Sequence, residues 1–192
     1  RRTEVVQTIF GVEKLASGKI FWEGKEVKIH NPAEAMKMGI GLLPENRQIE
    51  GLILDWGIGR NITLPELKSY VKQLFIQENL ERTTSRELAE RVDTKAVTIF
   101  DKASSLSGGN QQKVVVAKAL GSDFKVLILD EPTKGIDSFF KETLAEIFCK
   151  LKEQGVTILM VSHDVEFCAD HADLLTVDLF INKRVFLIGS DG

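Results

Sequence analysis

The sequence predicts an α/β fold in which a parallel sheet carries an antiparallel β hairpin and an inserted helical subdomain. Three observations predict it. After Gly109, short apolar runs alternate with helical ones; two strand-like runs meet at Gly24-Lys25; and strand signals give way to helical ones between about Gly51 and Ser105. Apolar strands alternating with helices imply a parallel sheet covered on both faces. A chain of 192 residues is long enough to bury a sizeable core.

Each element has its own signal. Glu4-Val5-Val6-Gln7-Thr8-Ile9-Phe10 reads as the end of a helix, stopped at Gly11. Lys19–Glu23 and Val27–Ile29 read as two strands of a hairpin. Asn31-Pro32 opens a short helix, with Asn31 as N-cap and Pro32 in the first helical position, and Met38-Gly39 closes it. Ile40-Gly41-Leu42-Leu43 follows as a buried strand ending at Pro44. Leu64–Asn79 and Thr84–Arg91 read as helical, with Thr84 and Glu87 at capping-box spacing. After Gly109 come a helix (Gln111–Leu120), a strand (Val126–Leu129), a helix (Phe139–Lys152) and a strand (Val156–Val161). These limits define one domain over 1–192, its α/β core formed by 1–47 and 106–192 and its helical subdomain by 48–105.

Composition bounds the function. Apolar residues make up 43% and charged residues 28%, with 25 basic against 28 acidic and a formal net charge of −3. With no Lys/Arg cluster, charge gives no support for a nucleic-acid partner. Cys149 and Cys168 show neither metal-ligand nor disulfide spacing, which fits a reduced, cytoplasmic setting. No secretory leader is visible behind Arg1-Arg2-Thr3-Glu4, and runs such as Ile158–Val161 fall far short of the ~20 residues of a membrane helix, so a membrane role would be peripheral. A start without Met reads as a fragment.

Two motifs carry chemistry. Asp130-Glu131 ends an apolar strand, where α/β folds place their ligand chemistry. Asp130 suits a water of a Mg²⁺ shell, since Mg²⁺ prefers oxygen ligands and keeps most of its waters. Glu131 suits the orientation and deprotonation of a water attacking a γ-phosphate. The bland reading of such a pair is a solvated turn cap. Ser107-Gly108-Gly109, just before a helix, lets backbone N–H groups and the helix dipole meet a phosphate.

Together these motifs resemble the ATP-binding-cassette (ABC) transporter family, a P-loop NTPase-like fold. Leu106-Ser107-Gly108-Gly109-Asn110-Gln111-Gln112 is similar to its signature loop and Val126–Thr133 to its Walker B strand. Lys134-Gly135-Ile136-Asp137 is similar to its D-loop and Val161-Ser162-His163-Asp164 to its switch-histidine motif. The resemblance implies two lobes sandwiching ATP, the signature of one closing the P-loop site of the other. It makes Glu131 and His163 catalytic, and it places Ser107, Gly108, Gly109, Gln111 and Asp137 at the nucleotide. Pro44-Glu45-Asn46-Arg47 stands where the family's Q-loop should be, with Glu45 in place of the usual Gln as a metal-side ligand. His30 and His171 are assigned to surface or packing.

The Pro-Glu-Asn-Arg loop resembles the second cassette of tandem ribose/galactose/xylose-type sugar importers. No Gly-x-x-x-x-Gly-Lys-Ser/Thr occurs. That subgroup implies that Arg1-Arg2-Thr3-Glu4 starts inside the P-loop, with Arg2 at the lysine position and Thr3 at the Mg²⁺ hydroxyl, whereas Arg1 departs from the expected Gly. The strand leading into such a loop is expected beside Val126–Leu129, and its loss would open a sheet edge there unless something else fills the gap. Residues 165–173 look more like cation- or vitamin-type cassettes, and 174–192 match neither type. The implied ligands are ATP and Mg²⁺. The implied partners are a second cassette, a transmembrane permease and, indirectly, a periplasmic or extracellular solute-binding protein, at the cytoplasmic face of the membrane. Two alternatives stay open: a soluble ABC ATPase of repair or translation, and a degenerate non-hydrolytic half acting as regulator or scaffold. Residues 48–105 leave no room for the long coiled coil of repair cassettes. Intact Glu131 and His163 speak against degeneracy, and the start within the P-loop speaks for it.

Overall fold

A computed structural model describes residues 2–72, 75–95, 98–178 and 183–188. The chain divides into two compact units. The first comprises Arg1–Glu45, Phe124–Pro132 and Ile147–Gly192; the second comprises Asn46–Asp123 and Thr133–Glu146.

The first unit opens with helix α1 (Arg2–Ile9), which ends where Gly11 takes φ +80. Strands β1 (Ile20–Trp22) and β2 (Lys25–Val27) pair antiparallel, Trp22 opposite Lys25. The turn falls at Glu23 and Gly24, one residue earlier than the sequence suggests. Both have positive φ, as a two-residue hairpin turn matching strand twist requires. Helix α2 (Pro32–Lys37) starts as predicted: Asn31 accepts the Glu34 N–H, and Pro32 fills the first turn. Strand β3 (Ile40–Leu43) follows.

The second unit is mostly helical but less regular than its pattern suggests. A π-helical turn (Arg47–Gly51) leads to α3 (Ile58–Thr63) and a 3-10 segment (Leu64–Tyr70). The predicted helix over Leu64–Asn79 is thus replaced. Pro65 lies in the first turn of the 3-10 segment, and β4 (Val71–Lys72) pairs antiparallel with β5 (Phe75–Ile76). β-Branched and aromatic residues favour that pairing. Helix α4 (Glu78–Arg91) begins well before Thr84, so the Thr84/Glu87 capping box lies inside a helix. Helix α5 (Gly108–Leu120) starts three residues before the expected Gln111, so the two glycines form its first turn. Val114 to Ala117 are each 3% exposed or less. A helix apolar nearly all round needs covering, and α3 and α4 pack on it, which places α5 in this unit. Lys113 Nζ donates to the Asp93 carbonyl at 2.8 Å and caps the end of α4.

The first unit then resumes with β6 (Val126–Asp130). Helix α6 (Ser138–Glu153), strand β7 (Thr157–Val161), helix α7 (Val165–His171) and strands β8 (Leu174–Asp178) and β9 (Lys183–Ile188) complete the chain. The sheet order is β3-β6-β7-β9-β8. β6 is parallel to both β3 and β7, and β9 lies antiparallel against β7. The strand that carries the acids therefore has no open edge, and the expected gap beside it is filled. Its core joins Val6 of α1, Ala35 of α2, Ile40, Ile128 and Val161. Each valine or isoleucine among them, fully buried, contributes about 1.5–3 kcal/mol. This core fixes the end of β6, where Asp130 and Glu131 emerge.

Candidate functional site

In the first unit, β6 runs through three fully buried apolar residues to Asp130, which is 3% exposed. The Glu131 N–H donates to the Val161 carbonyl at 2.8 Å, extending the pairing by one residue. Glu131 then turns the chain out of the sheet with φ +53. A non-glycine residue pays steric strain in that region, and such outliers cluster at functional sites. The turn keeps Glu131 buried and aims its carboxylate at the loop after β7. There Oε2 accepts the His163 N–H at 3.0 Å and the Ser162 hydroxyl at 3.4 Å, while Oε1 pairs with His163 Nδ1. Ser162 Oγ also accepts the Asp164 N–H at 3.0 Å, and Asp164 caps α7 by accepting the Phe167 N–H. The loop is held on both sides, and the His163 side chain stays 73% exposed. The result is a buried carboxylate carrying an exposed imidazole, able to take a proton from a water and to meet an anion.

Parallel register sets Leu43 opposite Leu129, so Glu45 and Asp130 leave the same end of neighbouring strands. Thr3 lies half-buried in the first turn of α1. Arg1 and the Arg2 side chain lie outside the described residues. Among the described residues no three His, Cys, Asp or Glu side chains form a metal cluster. The oxygen donors of Asp130, Glu45 and Thr3 fit Mg²⁺, an ion held through one or two carboxylates with water and substrate completing the shell.

In the second unit, Ser107 is the N-cap of α5; its hydroxyl accepts the Asn110 N–H at 3.4 Å and Asn110 Nδ2 at 3.0 Å. Gly108 and Gly109 then supply N–H groups of the first turn, which find no acceptor within a helix. Gln111 is placed differently from the other signature residues. It is 3% exposed, and its amide nitrogen donates to the Ala103 and Leu106 carbonyls, each at 3.2 Å, bracing the preceding turn. Asp137 caps α6, its carboxylate accepting the Phe140 N–H at 2.8 Å.

Sequence reasoning gave no role to Ser162, which shares the Glu131 carboxylate, or to Arg47 and Gln48, which touch the start of α5. A serine before a histidine was the only local signal for the first. Arg47 stands in the Pro-Glu-Asn-Arg loop without a role of its own there, and nothing local marks Gln48, because the contacts of both lie far along the chain. His30 pairs on the surface with Glu34 at 3.0 Å, and His171 stacks on Phe167.

Strand-end acids beside a switch-like histidine, and a serine-capped helix whose first turn is glycine, mark an α/β domain of the ATP-binding-cassette kind. The chain belongs to the ABC transporter family, which it matches over residues 2–134. It is 46% identical to the ribose import ATP-binding protein RbsA of Lactococcus lactis subsp. cremoris, over 92% of this chain and 36% of that protein. It is 46% identical to RbsA of Streptococcus agalactiae over 85% of this chain and 33% of that protein. The chain thus spans about a third of the length of the curated relatives it matches. Solved structures share the fold. The ATP-binding cassette MJ0796, in a dimeric post-hydrolysis state bound to ADP and Pi, has a TM-score of 0.73 at 24% identity, over 86% of this chain and 71% of that one. The cbiO1 protein of Clostridium perfringens, part of an ABC transporter complex, has a TM-score of 0.67 at 22% identity, over 90% and 66%.

Proposed function

We propose that this chain is part of the ATP-hydrolysing subunit of an ABC importer that takes up a sugar, with ribose the first candidate. The observation that carries this reading is Glu131, buried, left-handed and paired with His163 at the end of β6. Identity to ribose import proteins supports the substrate class.

In this reading Glu131 accepts the proton of the water that attacks the γ-phosphate. His163 and Ser162 orient that carboxylate, and the exposed imidazole reaches the phosphate. Ser107, Gly108 and Gly109 serve ATP held by a second cassette, offering N–H groups and the positive end of α5 to its phosphate oxygens. Asp137 and Gln111 hold the segments on either side. Asp130, Glu45 and Thr3 would hold Mg²⁺, which when bound offsets negative charge on the phosphates. The sequence resemblance assigns Arg2 to the same phosphates. A transmembrane permease and, beyond it, a solute-binding protein complete the assembly, with this chain peripheral at the cytoplasmic face. No helix among the described residues is long and apolar enough to cross a membrane.

The test is Glu131→Gln in the assembled transporter, followed by phosphate release. ATP turnover should fall at least about tenfold, or roughly 1.4 kcal/mol of barrier. An unchanged rate would remove Glu131 from the chemistry and leave turnover to the other cassette.

A further inference from the structure

The N–H groups of Gly108 and Gly109 stand in the first turn of α5. Arg47 stands against them. A Cβ built on Gly108 would lie 2.6 Å from Arg47 Nη2, so the guanidinium occupies the place of a side chain there. Arg47 Nη1 donates to the Lys134 carbonyl at 3.3 Å and reaches Gln112 Oε1 at 3.5 Å. A Cβ on Gly135 would lie 3.6 Å from Nη2. One planar group thus touches the first turn of the signature helix and the turn at Lys134-Gly135.

The segment bearing Arg47 is itself fastened to α5. It opens the π-helical turn Arg47–Gly51, a geometry frequent at functional sites. The next residue, Gln48, donates to Gln111 Oε1 at 2.9 Å, and at the turn's far end Lys118 Nζ donates to the Gly51 carbonyl at 3.1 Å. Three residues of the turn, Arg47, Gln48 and Gly51, are therefore bonded to three residues of α5. Among the described residues no carboxylate forms an ion pair with Arg47, and burial holds its guanidinium below the usual arginine range. A partly desolvated cation at the positive end of a helix is not a placement that stability alone favours. Its guanidinium, however, reaches two acceptors through Nη1 while Nη2 lies against Gly108, two nitrogen positions that the single ammonium of a lysine cannot fill together.

We propose that Arg47 is a positioning residue that presets the signature N–H groups by locking Gly108 and the Lys134-Gly135 turn to one guanidinium. The inference rests on the reading of Ser107–Gly109 as phosphate-binding, and Arg47 acts through them without touching the nucleotide.

The experiment compares wild type, Arg47→Lys and Arg47→Met in the assembled transporter by amide hydrogen exchange and by ATP turnover. Both variants should speed exchange at residues 107–109 and 134–137 by about tenfold, with β3, β6 and β7 unaltered. In both, kcat should fall by about fivefold or more while KM for ATP changes little, as for a contact realised mainly in the closed state. Wild-type exchange in both variants would overturn the proposal. So would Arg47→Lys restoring kcat, because charge rather than the fork would then suffice. If Arg47→Met does not fold, Arg47→Lys alone decides. If wild type itself turns over no ATP, the phosphate reading fails while the exchange data still judge the lock.

Discussion

At the end of β6 the proposed function draws on side chains, whereas at the start of α5 it draws on the backbone. Asp130, Glu131 and His163 present ionisable groups from strand ends and turns that a five-stranded sheet fixes in place. Around Ser107–Gly109 the side chains turn inward instead: Gln111, Gln112 and Arg47 bond to protein groups and leave the peptide N–H groups for a ligand. The first arrangement tolerates little change of side-chain chemistry. The second tolerates little added volume at Gly108, because the Arg47 guanidinium lies where a side chain would.

The sharpest way to break the first region is to hollow the core beneath it. Ile128→Ala, at a fully buried position between β3 and β7, should cost about 2–5 kcal/mol in urea unfolding. At the second region, Ser107→Ala removes the cap of α5 and should cost about 1 kcal/mol, read in the same way. The glycines sharpen the contrast. A Cβ on Gly109 meets nothing nearer than 3.9 Å, so Gly109→Ala should stabilise the helix by up to about 1 kcal/mol. Gly108→Ala, against Arg47, should show no such gain; equal gains at both positions would place the guanidinium elsewhere.

The smallest effect lies away from both regions. The Glu34 carboxyl is held below its ordinary pKa, chiefly by the His30 backbone N–H and then by its ring. A depressed carboxylate stabilises the fold above its unfolded pKa, and that contribution is lost as pH falls through the folded value. Glu34→Gln should therefore shift the urea midpoint slightly at pH 6, and the difference should vanish in acid below the folded pKa of Glu34.

The parts of this architecture that were legible in the sequence are those written in a few adjacent residues. Asn31-Pro32 names its cap and first turn, and Val126–Asp130 names a buried strand with an acid at its end. Ser107-Gly108-Gly109 names a helix start. The second unit was harder to read because tertiary packing overrules local signals there. Thr83 and Thr84 look like a helix start, yet Thr83 Oγ1 simply donates back to the Asn79 carbonyl within α4. The roles of Arg47 and Gln48 depend on contacts with residues more than sixty positions away, and no spacing rule reports those. The division into units has the same cause: α5 follows its own apolar faces onto α3 and α4.

The order of strands has a consequence for how the chain acquires its structure. β3 pairs directly with β6, yet residues 46–123 of the second unit lie between them in sequence. Closing that parallel pair means closing a loop that contains most of another compact unit, and non-local pairing of this kind is slow. As the polypeptide leaves the ribosome, α3, α4 and α5 are complete before the acid-bearing strand exists. Pulse-labelled exchange during refolding should show amides of α4 and α5 protected ahead of those of β3.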